Sequence, residues 1–445
     1  MHLTKSRLYA DLHRAYLDAR RHKRGRGYQQ RFERDMYWEL QRLCDELYER
    51  RYRPEPSTCF IIEDPKKREV FAAEFRDRIV HHLYYNYTHE LYERTFTADA
   101  YSCIKRRGTH YGIHRLEHHI RSESRNYTRP CYVMKMDLRG YFMNIDRRRL
   151  LAICRGTLER MRRHRVGSHA PQVWDEVLDF DFLHYLTEAI VLLDPLEECR
   201  RIGWPAAWAG LPESKRLFCS PEGCGLPIGN LTSQLFSNVY LNVLDQWMKR
   251  EMGCRHYGRY VDDFYVVSSD RQWLRTLLPR VREFLLRELG LTLHEGKTQL
   301  RDVRHGVEYL GAYLKPWRMY VGSGCLRRMR RHIAVLGREV QGLPPRRAAQ
   351  RVRCAVNSYL GVLSHYASYN LRRDLFLRSP LTAFAHRYGS YAPDLRSFAG
   401  EASEGSSQSP CLSPSSYCYC GRRSRPHEGV GNVESKGMGK MEWME

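Results

Sequence analysis

A chain of 445 residues is long enough for more than one compact unit, and 74 Lys and Arg against 51 Asp and Glu leave a formal charge of +23. That field suits a polyanion such as nucleic acid. No stretch approaches the roughly 18 apolar residues of a spanning helix, and Met1-His2-Leu3-Thr4-Lys5-Ser6-Arg7 lacks a signal-peptide core, so an intracellular, cytoplasmic protein without a membrane partner is expected. There are 14 cysteines, and those in 1–390 show no paired spacing, which predicts reduced thiols.

In chain order, Leu8, Leu12, Ala15 and Ala19 recur at helical spacing, as do Phe32, Met36, Leu40, Leu43 and Leu47. The intervening Arg20–Arg26 run is a basic loop, either a solvated linker or a contact to an RNA backbone. Asp64-Pro65-Lys66-Lys67-Arg68 reads as a polar turn leading into a short strand, a place to set cations over a triphosphate. His110, His114 and His118 share one face of a predicted helix. No Cys or carboxylate completes a usual ligand set beside them, so a face against nucleic acid or solvent is the simpler reading.

Residues 131–150 and 223–320 alternate short strands and helices, which predicts an α+β sheet domain, and 155–222 reads as helices plus a loop elaborating it. From 326 to 353 nine arginines face one glutamate with apolar residues interleaved, a basic helical element. Beyond about 391 Ser, Gly and Glu take over and apolar periodicity stops, predicting a disordered tail over 391–445. Its Cys411, Cys418, Cys420 and His427 match no standard zinc spacing.

The strongest chemical signal is Tyr260-Val261-Asp262-Asp263, set between the strand-like runs 256–259 and 264–267. Adjacent carboxylates at a hairpin tip repel, and neither favours a strand. A divalent cation over the turn would absorb that charge. Asp137 ends another strand-like run, 131–136. Carboxylates brought together at strand ends are what two-metal nucleotidyl transfer needs.

Taken in order, these segments resemble a reverse transcriptase over roughly 55–385: the basic stretch 65–82, Met136–Phe142, Gly225–Gln234, Tyr260–Asp263, Gly296-Lys297-Thr298 and Tyr309-Leu310-Gly311. The resemblance implies a right-hand polymerase with fingers (55–130), a ferredoxin-like palm (131–322, with 155–222 inserted) and a helical thumb (323–390), preceded by a helical extension (1–54). It implies two Mg²⁺ ions on Asp137, Asp262 and Asp263, with the Leu138 carbonyl completing one shell. Phe142, five residues past Asp137, takes the position of the steric gate against a ribose 2′-hydroxyl; the alternative is ordinary core packing. Arg68, with Lys66 or Lys67, would grip the triphosphate, with Ile228 and Gly229 lining the nucleotide. Lys297 would protonate pyrophosphate, unless it is a surface lysine after a turn glycine. Tyr309, Leu310 and Gly311 would hold the primer end.

Gly225–Gln234, Cys254–Asp263 and Ser358-Tyr359-Leu360-Gly361 with Ser368-Tyr369 look like the reverse transcriptases of diversity-generating retroelements. That likeness implies cDNA made with errors at adenines from a template-repeat RNA, deoxynucleotide triphosphates as substrates, and a small basic accessory variability protein forming an oligomer. Ile228 stands where retroviral enzymes usually have Gln, and it offers shape without a donor or acceptor. The alternatives are a retron- or defence-type reverse transcriptase, or an RNA-binding scaffold with a vestigial polymerase site.

Overall fold

The computed structural model describes residues 2–21, 25–63, 66–167, 170–378, 389–391, 395 and 397–400. Helices α1 (Lys5–Arg20), α2 (Gly27–Arg34) and α3 (Met36–Tyr48) come first. Thr4 opens α1, its hydroxyl accepting the Arg7 N–H at 3.4 Å. Leu8, Leu12, Ala15 and Ala19 form one buried stripe, and α1 packs on α4 (Phe75–Glu93). The apolar period from Phe32 to Leu47 does not give one helix. At Asp35 the backbone turns to φ −118°, ψ 27°, which separates α2 from α3. These helices are not an appendage, because their buried side chains belong to one continuous core that runs through to Leu293. Part of the basic loop, residues 22–24, lies outside the described residues.

Strands β1 (Thr58–Ile62) and β2 (Arg68–Ala72) form an antiparallel hairpin, Thr58 opposite Ala72, and Asp64 and Pro65 of its turn lie outside the described residues. After α5 (Thr109–Glu123) comes β3 (Tyr132–Asp137), then α6 (Arg147–Arg162), the short α7 (Trp174–Val177) and α8 (Phe180–Val191). The two-residue β4 (Arg200–Arg201) joins β1 in parallel, so the 155–222 segment reaches back to the first hairpin. A long α9 (Leu231–Arg250) leads to β5 (His256–Tyr260) and β6 (Asp263–Ser268). Then α10 (Arg271–Leu289) leads to β7 (Gln299–Asp302).

The central sheet is antiparallel with order β5-β6-β3-β7. It places β3 and β6 side by side in the middle, with Asp137 directly opposite Asp263. That register brings two segments 126 residues apart in sequence to one sheet end.

A second sheet of β8 (Val307–Tyr309), β9 (Ala312–Lys315) and β10 (Arg318–Val321) follows, in order β10-β9-β8. Helices α11 (Ser323–Glu339), α12 (Pro345–Ser364) and α13 (Tyr369–Phe376) then build their own core around Ile333, Leu336, Val352, Leu360 and Phe376. The arginine-rich stretch is helical as expected. Met329, Ile333 and Leu336 turn inward on α11, while Arg327, Arg328 and Arg330 are exposed.

The expected tail differs at its start. β11 (Gly389–Tyr391) pairs with β12 (Phe398–Gly400), and Phe398 is buried against the helical core. Its N–H donates to Asn357 Oδ1 at 2.7 Å and its carbonyl accepts from Asn357 Nδ2 at 2.9 Å. One buried aromatic with both backbone groups satisfied is enough to dock the strand, despite the polar composition around it. Residues 401–445, with Cys411, Cys418, Cys420 and His427, lie outside the described residues. The described cysteines are free thiols, and no described helix is long and apolar enough to cross a membrane.

Candidate active site

The β5–β6 pairing puts Tyr260 opposite Asp263, so Val261 and Asp262 alone form the turn. Val261 sits at φ +53°, a left-handed conformation that costs a β-branched residue about 1–2 kcal/mol. The surroundings hold it there. Its N–H donates to Ser102 Oγ at 3.1 Å, and its carbonyl accepts from Arg259 at 3.1 Å. Arg259 is fully buried, and its Nε and one terminal nitrogen grip Asp245 of α9 at 2.8 and 2.7 Å. Tyr257 donates a further bond to Asp245 at 2.6 Å, and the Asn238 Oδ1 accepts from Arg259 at 3.2 Å. The tip that carries Asp262 is thus bolted to the longest helix of the sheet domain.

Beside this turn the Asp262 carbonyl accepts the Leu138 N–H at 3.2 Å, and the Asp137 carbonyl accepts the His294 N–H at 2.7 Å. Burial, then repulsion from Asp137, raises the Asp262 carboxyl above its ordinary pKa, while Lys297 and Arg68 oppose the rise. Asp263 is pushed up to about 6, mainly by burial, with Lys135 pulling the other way. Its Oδ2 lies 3.1 Å from Lys135 Nζ, and its Oδ1 is buried without a hydrogen-bond partner. Asp137 Oδ1 accepts from Lys297 Nζ at 2.7 Å.

Carboxylate oxygens with raised proton affinity, one of them orphaned, fit a hard divalent cation such as Mg²⁺. In this structure lysines hold Asp137 and Asp263, and no three His, Cys, Asp or Glu side chains among the described residues close into a ligand set.

The nucleotide-facing candidates meet on one small apolar cluster. Phe142 lies in a tight turn, Tyr141–Met143, and its half-buried ring packs with Ile228 against Cys59, Phe71, Met143 and Leu217. The Phe142 carbonyl accepts the Leu226 N–H at 2.8 Å, and the Ile228 carbonyl accepts the Phe71 N–H at 2.8 Å. Gly229 has φ +132°, and a Cβ there would stand 2.6 Å from the Phe71 carbonyl oxygen. Only glycine lets the loop close onto β2.

Lys66 and Arg68 are exposed at the start of β2, whereas Lys67 is spent on the Ala209 carbonyl at 2.7 Å. The Lys66 ammonium sits below the usual lysine range, through desolvation first, then repulsion from Arg68, Lys297, Lys215 and Arg328. Tyr309, Leu310 and Gly311 form the β8–β9 turn, with Leu310 and Gly311 at φ +47° and +80°. Tyr309 is fully buried, its hydroxyl has no partner, and Lys135 lies 5.7 Å from its ring centroid. His110 is drawn into a different contact, stacked on His365 of the chain after α12 at 3.8 Å.

Sequence reasoning missed Lys135, the Arg259–Asp245 pair and Lys215. For Lys135 a signal existed, since a residue two before Asp137 on a strand shares its face. Arg259 was visible as a charge inside a strand, the pattern of a buried, paired guanidinium. Lys215 gave no sequence signal.

The family model described as reverse transcriptase (RNA-dependent DNA polymerase) matches residues 192–314. This span is a reverse transcriptase domain, which supports RNA-directed DNA polymerase activity. It contains Ile228, Gly229, Asp262, Asp263, Lys297 and Tyr309–Gly311; Lys66, Arg68, Asp137 and Phe142 precede it. Protein YkfC of Escherichia coli (strain K12) is 24% identical over 307 residues, 61% of this chain and 70% of that protein. Among solved structures, apo telomerase from Candida tropicalis superposes with a TM-score of 0.44 at 10% identity, over 73% of this chain and 56% of its own. Telomerase from Candida albicans in complex with the TWJ fragment of telomeric RNA gives 0.40 at 10% identity, over 76% of this chain and 57% of its own. The protein therefore spans a little over half the length of these telomerase chains.

Proposed function

We propose that this protein copies RNA into DNA, and that it is the reverse transcriptase of a diversity-generating retroelement. The observation that carries the first part is the register that sets Asp137 against Asp263, with Asp262 in the adjoining turn and exposed cations nearby. The strand–helix–strand–strand–helix–strand connectivity of β3, α9, β5, β6, α10 and β7 supports a ferredoxin-like palm over 131–322. The β1–β2 hairpin and its helices would then be fingers over 55–130, and α11 to α13 a thumb over 323–390.

Asp137, Asp262 and Asp263, with the Leu138 carbonyl, would hold two Mg²⁺ ions, which supply Lewis-acid activation of the primer hydroxyl and of the leaving pyrophosphate. Arg68 and Lys66 bind the triphosphate and orient it in line with the primer end. Phe142, supported by Ile228 and Phe71, closes the space a ribose 2′-hydroxyl would need. Lys297 gives up its bond to Asp137 and delivers a proton to pyrophosphate. The Tyr309–Gly311 turn seats the primer, and Arg327 and Arg330 of α11 hold the template–product duplex by its phosphates.

Template RNA, cDNA and deoxynucleotide triphosphates are the implied partners, with a small basic accessory variability protein as an oligomer. The retroelement assignment rests on Gly225–Gln234, Cys254–Asp263 and Ser358–Gly361. Primer extension on a defined RNA, with and without Mg²⁺, followed by sequencing of the cDNA, tests both parts. Magnesium-dependent extension with errors concentrated opposite adenine is expected. Extension with evenly spread errors would return the chain to the retron or defence type, and no extension would leave an RNA-binding scaffold.

A further inference from the structure

The segment between α8 and α9 is built into the site from two sides. Trp208 Nε1 donates to Glu69 Oε1 at 2.7 Å, and the Leu217 N–H donates to the other oxygen at 2.6 Å. Glu69 is 1% exposed and stands next to Arg68 on β2. A buried carboxylate is strongly disfavoured unless bonded in this way, so the segment cannot leave β2 without stranding that charge. Arg216 folds back on the Trp208 and Leu211 carbonyls at 3.0 and 2.9 Å, which stiffens the loop from within.

On its other side the segment touches the turn that follows β3. Gly140 has φ +55°, and a Cβ there would stand 2.7 Å from the Ser214 carbonyl oxygen. Lys215 follows Ser214 directly, so its backbone is fixed between the strand of Arg68 and the turn three residues past Asp137. The side chain is exposed.

Among the described residues, Lys66 and Arg68 at the start of β2, Lys215 in the inserted segment and Arg328 on α11 come from three different parts of the chain, and none forms an ion pair. Arg68, Lys215 and Arg328 each lie close enough to repel the Lys66 ammonium. A solvated surface lysine would need no such framework. An anion of several charges removes the conflict.

We infer that Lys215, held in place by Glu69 and Gly140, binds the polyphosphate of the incoming nucleotide together with Lys66, Arg68 and Arg328. The nucleotide itself rests on the polymerase reading; the polyanion site does not. Lys215 gives the inserted segment a part in substrate binding, and it ties α11, through Arg328, to the same ligand.

The test uses the full chain, its Lys215→Ala and Lys215→Arg variants, and Arg163→Ala as an exposed arginine just after α6. Inorganic tripolyphosphate without metal is the probe for binding, and primer extension gives KM for the deoxynucleotide. A charged phosphate contact predicts about tenfold weaker tripolyphosphate binding and about tenfold higher KM in Lys215→Ala. The maximal rate should change little, Lys215→Arg should recover most of the loss, and Arg163→Ala should behave as the parent. Equal tripolyphosphate affinity in parent and Lys215→Ala overturns the inference, whatever extension shows. An equal loss in Arg163→Ala overturns it too, because net charge alone would then explain the effect. If the parent binds tripolyphosphate through Lys215 but extends no primer, the polymerase reading fails and the anion site stands.

Discussion

The acidic and the basic sides of this site are made differently. Asp262 is carried on a strained turn that Arg259, Asp245 and Ser102 hold from beneath, all of it settled within the fold. Lys66 and Arg68 from the start of β2, Lys215 from the inserted segment and Arg328 from α11 have no ion-pair partner among the described residues. Among the described residues, folding therefore fixes the carboxylates and leaves these cations without an ion-pair partner. Removing support beneath the acids should cost stability, and removing a cation should cost affinity alone.

Asp262→Asn should show the largest effect. Primer extension should fall by about a thousandfold or more, equivalent to about 4 kcal/mol of barrier. Its carboxyl has a raised pKa in the fold, so above that pKa ionisation opposes folding. A neutral amide should therefore leave the melting temperature unchanged or higher. Wild-type-like extension would remove Asp262 from catalysis, and a clear fall in melting temperature would remove the electrostatic account.

Arg259→Ala tests the support instead. It leaves Asp245 buried and charged, and such a loss costs about 3–5 kcal/mol. Denaturant titration should show it, with extension falling in parallel. A loss below about 1 kcal/mol would mean that the pair does not hold the turn.

The β12 strand supplies a third case, internally satisfied like the turn. Truncation after Tyr391 and Phe398→Ala should each destabilise the α11–α13 unit by about 3 kcal/mol through loss of the buried ring. Melting curves unchanged by both would place the end of the folded unit before residue 391.

Phe142→Ala lies on the seam between the two sides and should have the smallest effect. Incorporation of ribonucleotides should rise about 10- to 100-fold relative to deoxynucleotides, about 1.4–2.7 kcal/mol. Unchanged selectivity between ATP and dATP would make Phe142 an ordinary member of the cluster with Ile228 and Phe71.

Some of this was legible in the chain because local pattern and tertiary structure agree. Short, near-continuous apolar runs at 131–136 and 264–267 became the two central strands, so the positions of Asp137 and Asp263 followed from strand ends. The α1 stripe followed from helical spacing for the same reason. Long-range polar pairings were not legible. Glu69 meets Trp208 across 139 positions, and no periodicity encodes that contact. The break at Asp35 was hidden because the apolar spacing continues through it. β12 was hidden because one phenylalanine among Ser, Gly and Glu is too weak a pattern to mark a docked strand.

The Arg259–Asp245 clasp also has a consequence for how the molecule fails. Opening the Val261–Asp262 turn alone would pull a guanidinium away from a carboxylate that water cannot reach. Local melting of the tip is therefore closed off, and the tip joins the same cooperative unit as α9 and the central sheet. Amide hydrogen exchange at Leu138, whose N–H is tied to the Asp262 carbonyl, should proceed only through global unfolding. Heat should then abolish catalysis and the fold in one transition, with no warm, folded, inactive state between them.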